Sequence, residues 1–495
     1  MTIHALHSGN GYEYLTRQVA RGDEIRPKGE SLTSYYNAHG NPPGRWVGSG
    51  REAMRVGGTV TADQMLNLFG TGYHPDNQAQ LLGRPFHRRR TWEDDPYLTA
   101  LDRAFAAFAE ENDRAPRAGA ERDRLRWQVA TEIVRQNLEG AEPSEPEVAR
   151  YLAGRTRTDR EGVSGFDLVF TPPKSVSVLW GLADAETREQ VSQAHAQAWQ
   201  ATLAWIEQEA AVTRTGKGGL KQVNTKGLTA AAFDHLDSRA GDPNLHTHVA
   251  VSAKVMGHDG KWRSLDARVL FALTVAASER YNALVEEQLV QRLGVEFEAT
   301  TRAGAKVPVR EVAGVGADLV ELFSQRRRAI TASYNDMVAQ YRAKHGHEPP
   351  RTEQYRLAQE ATLATRMEKE AARPLDERVI DWQARAAAAL GSPEALQERL
   401  RRILERAPKR ADTSLDKDAI ATEAAATVLE LLGRRRAVWN DFNVLAEATR
   451  VVRAQPAVRD GLWSVTDAAQ AVTQACLGQS VRLTVPDEMA APAAL

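Results

Sequence analysis

The chain has 495 residues, 42% hydrophobic and 26% charged, with a formal net charge of −1. That composition is globular and long enough for roughly two to four domains, and near-neutrality excludes a globally basic nucleic-acid binder, so such a partner would have to meet local basic patches. The single cysteine, Cys476, excludes an intramolecular disulfide and a multi-cysteine zinc site. No run is long and apolar enough to span a bilayer. The start, Met1-Thr-Ile-His-Ala-Leu-His, has neither the basic region nor the apolar core of a signal peptide, which makes the cytoplasm the expected compartment.

In chain order, the first informative stretch is Ser31-Leu-Thr-Ser-Tyr-Tyr-Asn-Ala-His-Gly-Asn-Pro-Pro-Gly-Arg-Trp-Val-Gly-Ser-Gly. An adjacent pair, Tyr35 and Tyr36, followed by a glycine-rich loop fits packing as well as chemistry. A phenol ionises near ~10 and attacks poorly unless a cation or base assists it. The segment from about 94 to 158 reads as a charged helical insertion, broken at Ala115-Pro-Arg-Ala-Gly-Ala and Glu142-Pro-Ser-Glu-Pro. Local basic patches occur at Arg84 with His87 to Arg90, at Arg155, Arg157 and Arg160, and at Arg214 with Lys217, Lys221 and Lys226. Arg326 to Arg328 reads instead as a solvated helix face.

Gly165-Phe-Asp-Leu-Val-Phe-Thr-Pro-Pro-Lys-Ser-Val-Ser-Val-Leu-Trp predicts a strand over Phe166 to Phe170, then a helix capped by Thr171 and running to about Ala210. Lys174 and Ser175 would then stand near a helix N-terminus suited to a phosphate. Asp167 shares a strand face from which a carboxylate can orient an imidazole or accept a proton, although an ordinary strand-edge aspartate fits equally.

The histidines carry more. Residues i and i+2 of a strand share a face, so His246 and His248 in Asn244-Leu-His-Thr-His can reach one point. His235 ends a second strand-like run from Leu228, and Ser238-Arg-Ala-Gly-Asp-Pro-Asn supplies a turn that lets the two strands lie antiparallel. Three neutral imidazoles leave coordination positions open, as a catalytic metal site requires. A His-x-His by itself also describes two surface histidines. After about residue 300 the sequence turns alanine-, leucine-, glutamate- and arginine-rich and reads as helices separated by Pro349-Pro350, Pro374, Gly391-Ser-Pro393 and Pro408.

Together these stretches resemble a family. The tyrosine pair before Gly44-Arg-Trp-Val-Gly-Ser-Gly, the run Leu68-Phe-Gly-Thr-Gly-Tyr-His-Pro, the Phe-Asp-Leu-Val-Phe-Thr-Pro-Pro-Lys-Ser-Val-Ser segment and His235 to His248 occur in the order found in conjugative relaxases of the MobF (TrwC/TraI-like) class, HUH-type tyrosine endonucleases. The resemblance is strong over residues 1 to 300 and looser beyond. It implies His235, His246 and His248 as ligands of a divalent metal, Mg²⁺ or Mn²⁺ first and Zn²⁺ as the other fit. It further implies Tyr35 as nucleophile with Tyr36 beside it, and Asp167 as the assisting carboxylate. The implied substrate is single-stranded and hairpin DNA at an origin of transfer, with a coupling protein and accessory relaxosome proteins as partners. The implied reaction nicks one strand, leaves a 5′-phosphotyrosine and religates it.

The expected fold is α+β: an antiparallel sheet with flanking helices over 1–300, then a mostly helical region over 301–495. Truncation near residue 300 is accordingly expected to keep cleavage. Two features depart from the family. No second tyrosine pair follows the first; Tyr12 and Tyr14 lie upstream instead. No Gly-x-x-x-x-Gly-Lys-Ser/Thr loop occurs, so ATP-driven unwinding is not expected of these residues. Three other readings share parts of this pattern: a rolling-circle replication initiator with the same chemistry, a metal-dependent phosphoesterase that releases free ends, and a non-catalytic single-stranded DNA-binding protein.

Overall fold

A computed structural model describes residues 1–9, 11–16, 42–87, 95–112, 114–116, 119–156, 162–301, 307–365, 373–405 and 416–483. Five strands form the main sheet: β1 (Thr2–His7), β2 (Arg45–Val47), β3 (Val163–Phe170), β4 (Ala230–Asp237) and β5 (Pro243–Ser252). Their spatial order is β1-β3-β5-β4-β2, every neighbouring pair antiparallel. The fold is α+β, as the sequence pattern predicts.

Alternation decides the two faces. From β3, Phe166, Leu168 and Phe170 join the main core, as do Leu245, Val249 and Val251 from β5. The opposite face carries Asp167, His246 and His248. It is partly covered by a second cluster built on Leu6, Trp46, Phe69 and Phe233. Gly44 lies flat against Phe233, where a Cβ would stand 2.2 Å from the ring, so only glycine fits before Arg45.

The helices take their places around this sheet. Short α1 (Glu13–Thr16) follows β1. Between β2 and β3 the chain forms α2 (Pro96–Asn112), α3 (Ala120–Asn137) and α4 (Glu145–Thr156), which share a small core of Tyr97, Leu101, Ala130 and Val148. Then come α5 (Lys174–Leu182), α6 (Ala185–Ala210) and α7 (Thr274–Leu293). The single helix expected from Thr171 to Ala210 is therefore two. Asp184 caps a fresh N-terminus by accepting from Thr187 N at 2.8 Å, and the helix before it starts at Lys174, with Pro173 rather than Thr171 at the cap position.

Behind the sheet, Phe170 meets the rings of Trp199 on α6 and Tyr281 on α7 at 6.3 and 5.3 Å. A polar relay crosses this core. Arg45 pairs with Asp234 at 2.6 Å, Thr247 donates to Asp234 at 2.6 Å, and His195 lies 2.8 Å from Thr247 Oγ1 and 2.7 Å from the Tyr281 hydroxyl. Because Thr247 spends its proton on Asp234, His195 Nε2 is the donor to Thr247 and Nδ1 accepts from Tyr281. Burial pushes the His195 imidazolium pKa down to about 4. The unfolded chain takes up that proton near ~6.5 and the folded one does not, so stability falls as pH drops through this window, by about 2 kcal/mol at pH 5. Urea midpoints between about pH 7 and pH 5 should fall less for His195→Gln than for the unaltered chain; parallel declines would refute this assignment.

Beyond residue 300 the packing is continuous. Strands β6 (Phe297–Thr300) and β7 (Val309–Val312) form a hairpin, followed by α8 (Gln325–His345), α9 (Arg351–Ala364), α10 (Leu375–Leu390) and α11 (Pro393–Leu404). Val312, Phe323, Val379, Trp382, Leu400 and Ile403 belong to the same core cluster as Phe166 and Leu168. The boundary expected at residue 300 thus coincides with no gap in packing. α12 (Lys417–Gly433), α13 (Asp441–Val452) and α14 (Val465–Gly478) share a separate core. They dock on α7 through Arg450 with Glu279 at 2.9 Å and Arg453 with Glu286 at 2.6 Å. Among the described residues no helix is long and apolar enough to cross a membrane.

Candidate active site

The antiparallel register places His235 directly opposite His246 and sets His248 opposite Phe233 on one side and Val169 on the other. Three imidazoles therefore converge on the front face of the sheet. One ligand nitrogen of each lies within 4.8 Å of the other two, and ring centroids are 4.9 to 5.3 Å apart. His235 is buried; His246 and His248 are half-buried.

The hydrogen bonds around two of these rings choose their tautomers. His246 Nδ1 lies 2.7 Å from the Asn244 carbonyl oxygen, and His248 Nδ1 lies 2.7 Å from Asp167 Oδ2. A ring nitrogen facing an acceptor carries the proton, which leaves Nε2 of each as the lone-pair donor. This is the arrangement a metal-ligating histidine needs, and with the His235 ring nitrogen within 4.8 Å of both, the three residues fit a divalent ion.

Asp167 is 1% exposed and does more than orient His248. Its Oδ2 also accepts from the Tyr14 hydroxyl at 2.5 Å. The Tyr14 ring stands edge-on to His248 at 5.8 Å. Burial first, then the charge of Asp167 and the hydrogen bond to it, hold the Tyr14 phenol well above its ordinary pKa. The phenol therefore keeps its proton, hydrogen-bonded to the carboxylate, and its ionisation would need a cation at the triad. Asp167 Oδ1 is buried with no hydrogen-bond partner among the described residues.

Of the predicted residues, Asp167, His235, His246 and His248 come together; Tyr35 and Tyr36 lie outside the described residues. Tyr14, which the sequence offers only as one of two upstream tyrosines without a role, is the further group that reaches Asp167. The available signal was Gly11-Tyr-Glu-Tyr-Leu, two tyrosines on one tight turn. Tyr12 is buried in the front core and Tyr14 reaches the site. Lys174 and Ser175 are not at a phosphate site. Lys174 Nζ donates to the Pro243 carbonyl at 2.6 Å, and Ser175 donates through both N and Oγ to Glu311. Burial pushes the Lys174 pKa down to about 8. Of the basic patches, Arg214 is tied to Asp266 at 2.8 Å.

A hydroxyl, a carboxylate and three imidazoles thus meet on the front face of the sheet, a set of groups that can supply a nucleophile, a proton acceptor and metal ligands. The family model described as TrwC relaxase matches residues 8–389. The chain belongs to the TrwC relaxase family. The matched span holds Tyr14, Asp167 and all three histidines, and it runs well past residue 300.

Among curated proteins, this relaxase-family chain is 32% identical over 220 residues to the multifunctional conjugation protein TraI of Escherichia coli, and 32% identical over 221 residues to that of strain K12. Each match covers 43% of this chain and 12% of the relative's length. Among solved structures, a metal-bound conjugative relaxase TrwC in complex with oriT DNA shares 21% identity at a TM-score of 0.45, over 78% of this chain and 98% of that one. TrwC complexed with a 27-mer DNA comprising the recognition hairpin and the cleavage site shares 21% at 0.44, with the same coverage.

Proposed function

We propose that this chain nicks one DNA strand at an origin of transfer by tyrosine transesterification, retains the 5′ end as a phosphotyrosine, and rejoins the strand. The observation that carries this reading is the unbroken contact from Tyr14 Oη to Asp167 Oδ2 to His248 Nδ1, at 2.5 and 2.7 Å, on the face where the three imidazoles meet. A hydrolase would need a water poised for attack. Here a side-chain hydroxyl already stands on the carboxylate.

His235, His246 and His248 would hold a divalent ion, which when bound supplies polarisation of a non-bridging phosphate oxygen. Mg²⁺ or Mn²⁺ is the proposed ion, and three imidazoles also suit Zn²⁺. In the proposed step the tyrosine oxygen bonds to phosphorus, the bond from phosphorus to the 3′-oxygen breaks, and the phenol proton passes to Asp167 Oδ2. The 3′-oxygen leaves as a hydroxyl by taking a proton from solvent, and Asp167 then releases the phenol proton to solvent, which restores the carboxylate. The reverse attack by a 3′-hydroxyl reseals the strand, because the phosphodiester energy is stored in the tyrosyl ester.

Two assignments of the attacking hydroxyl follow from different observations. Sequence order favours Tyr35, with Tyr36 beside it. Contact with Asp167 favours Tyr14, and we adopt Tyr14 for the first cut, leaving Tyr35 and Tyr36 as candidates for a second transfer. The proposed substrate is single-stranded DNA beside a hairpin; the DNA named for one TrwC complex comprises a recognition hairpin and a cleavage site. A coupling protein and accessory relaxosome proteins are the proposed partners.

The test is adduct formation with labelled single-stranded oligonucleotides covering candidate origins, read as SDS-resistant species, with the modified peptide identified by mass spectrometry. The expected nucleotide sits on Tyr14, and Tyr14→Phe, which removes one oxygen, abolishes the adduct while Tyr35→Phe retains it. A nucleotide on Tyr35 returns the attacking role to that residue. Cleavage with free ends and no adduct would overturn transesterification itself.

A further inference from the structure

The loop from Ser238 to Asp242 joins the two strands that carry the histidines, and a bulge interrupts the ladder between His235 and Asp237. The ladder pairs His235 with His246 and is broken immediately beyond them, so the end of the sheet next to this histidine pair is held by the anchoring of the loop. That anchoring comes from far along the chain. Asp242 is 1% exposed, and its carboxylate accepts from Gln325 N at 2.9 Å, Gln325 Nε2 at 2.7 Å and Arg385 Nη2 at 2.9 Å. Trp382 Nε1 donates to the Gly241 carbonyl at 2.7 Å, and Arg378 pairs with Asp237 at 3.2 Å. The Arg385 guanidinium lies over Phe323 at 4.8 Å, which holds its planar fork in place before it meets the carboxylate.

We propose that Asp242, gripped by Arg385 and Gln325, is a positioning residue for the histidine triad, so that α8 and α10 set the metal affinity of a site to which they contribute no ligand. The proposal rests on reading the triad as a metal site. A carboxylate this deeply buried depends on its donors, and losing Arg385 removes its ion-pair partner and leaves it to Gln325 and the nearby charge of Lys174, a loss the loop relieves by moving. Small displacements of a ligating imidazole are costly: losing groups that orient metal ligands typically weakens binding about tenfold to a hundredfold. Gln325 is also the first residue of α8, so a shift of that helix is transmitted to the loop.

The experiment is Mn²⁺ titration of the full chain by calorimetry, alongside melting curves and binding of a labelled mixed-sequence single strand in chelator. Arg385→Met keeps the aliphatic stem and removes the fork. Its Mn²⁺ affinity should fall about tenfold while strand binding stays unchanged. Asp242→Asn combined with Arg385→Met removes both charges and should recover part of the lost affinity, a restoration that simple destabilisation would not give. Should Arg385→Met fail to fold, Gln325→Ala removes one donor only and carries the same expectation at smaller size. Unchanged Mn²⁺ affinity, or parallel loss of metal and strand binding without recovery in the double variant, overturns the positioning role. Absence of Mn²⁺ binding by the unaltered chain removes the metal reading first, and the positioning role with it.

Discussion

His248→Ala is expected to abolish strand cleavage, by about a thousandfold or more, while leaving DNA affinity nearly unchanged. The size follows from what the ring contributes. It is one of three imidazole donors, and it is the one hydrogen-bonded to Asp167 at 2.7 Å, the carboxylate that also receives Tyr14. Losing charge stabilisation at a reacting phosphate costs several kcal/mol, and about 4 kcal/mol is roughly 10³-fold in rate. DNA affinity should survive because it comes mainly from cationic and stacking groups spread over the surface rather than from the reacting centre. Asp167→Asn should give an intermediate loss, since an amide oxygen can still accept from His248 Nδ1 but cannot take the phenol proton. Cleavage assays paired with fluorescence-anisotropy binding separate the two quantities. Equal loss of cleavage and binding in His248→Ala would mean that the triad grips DNA rather than serving chemistry. Chelation should reproduce the mutant and added Mn²⁺ should reverse it.

The triad and Asp167 were legible because a strand has period two. That period makes His246 and His248 co-facial, and it places Asp167 on the opposite face of its strand from Phe166, Leu168 and Phe170. The third histidine needed only a turn signal. Tyr14 was not legible, because its role depends on contact between residues 14 and 167, and a tyrosine in Gly-Tyr-Glu-Tyr-Leu carries no mark of what it will touch. Lys174 and Ser175 misled for a related reason. A Pro-Pro-Lys-Ser sequence at a strand-to-helix junction describes local geometry well, but Glu311 and the Pro243 carbonyl, which occupy those donors, lie 136 and 69 residues away. The break at Asp184 is a local cap set within an apolar pattern that continues on both sides of it. The same limit applies after residue 300, where amphipathic periodicity says that Val379, Trp382 and Ala386 are buried, yet not that they are buried against the sheet core.

That last point sets the second large effect: a chain ending near residue 300 should fail to fold cooperatively, whereas one ending after Leu404 should fold and cut. The composition change near residue 300 favours the shorter cut, and the packing opposes it. Ending there removes Val312, Phe323, Val379, Trp382, Leu400 and Ile403 from the main core. At about 1.5–3 kcal/mol for each large apolar side chain, the loss is as large as the roughly 5–15 kcal/mol by which a native domain is stable. It also strips Glu311 from Ser175, and Gln325 and Arg385 from Asp242, leaving buried polar groups at the base of the site without their partners. Ending after Leu404 does much less damage. The core of α12 to α14 takes in only Ala283 among buried residues before Leu404, and although Glu279 loses Arg450 and Arg453, Glu286 keeps Arg310 at 2.8 Å. The longer truncation should therefore melt a few degrees below the full chain and retain most of its cleavage. Thermal melts and oligonucleotide cleavage of the two truncations decide the matter: a residue-300 chain that melts cooperatively and cuts at the full-length rate would show that the helices beyond it neither complete the core nor hold the histidine loop.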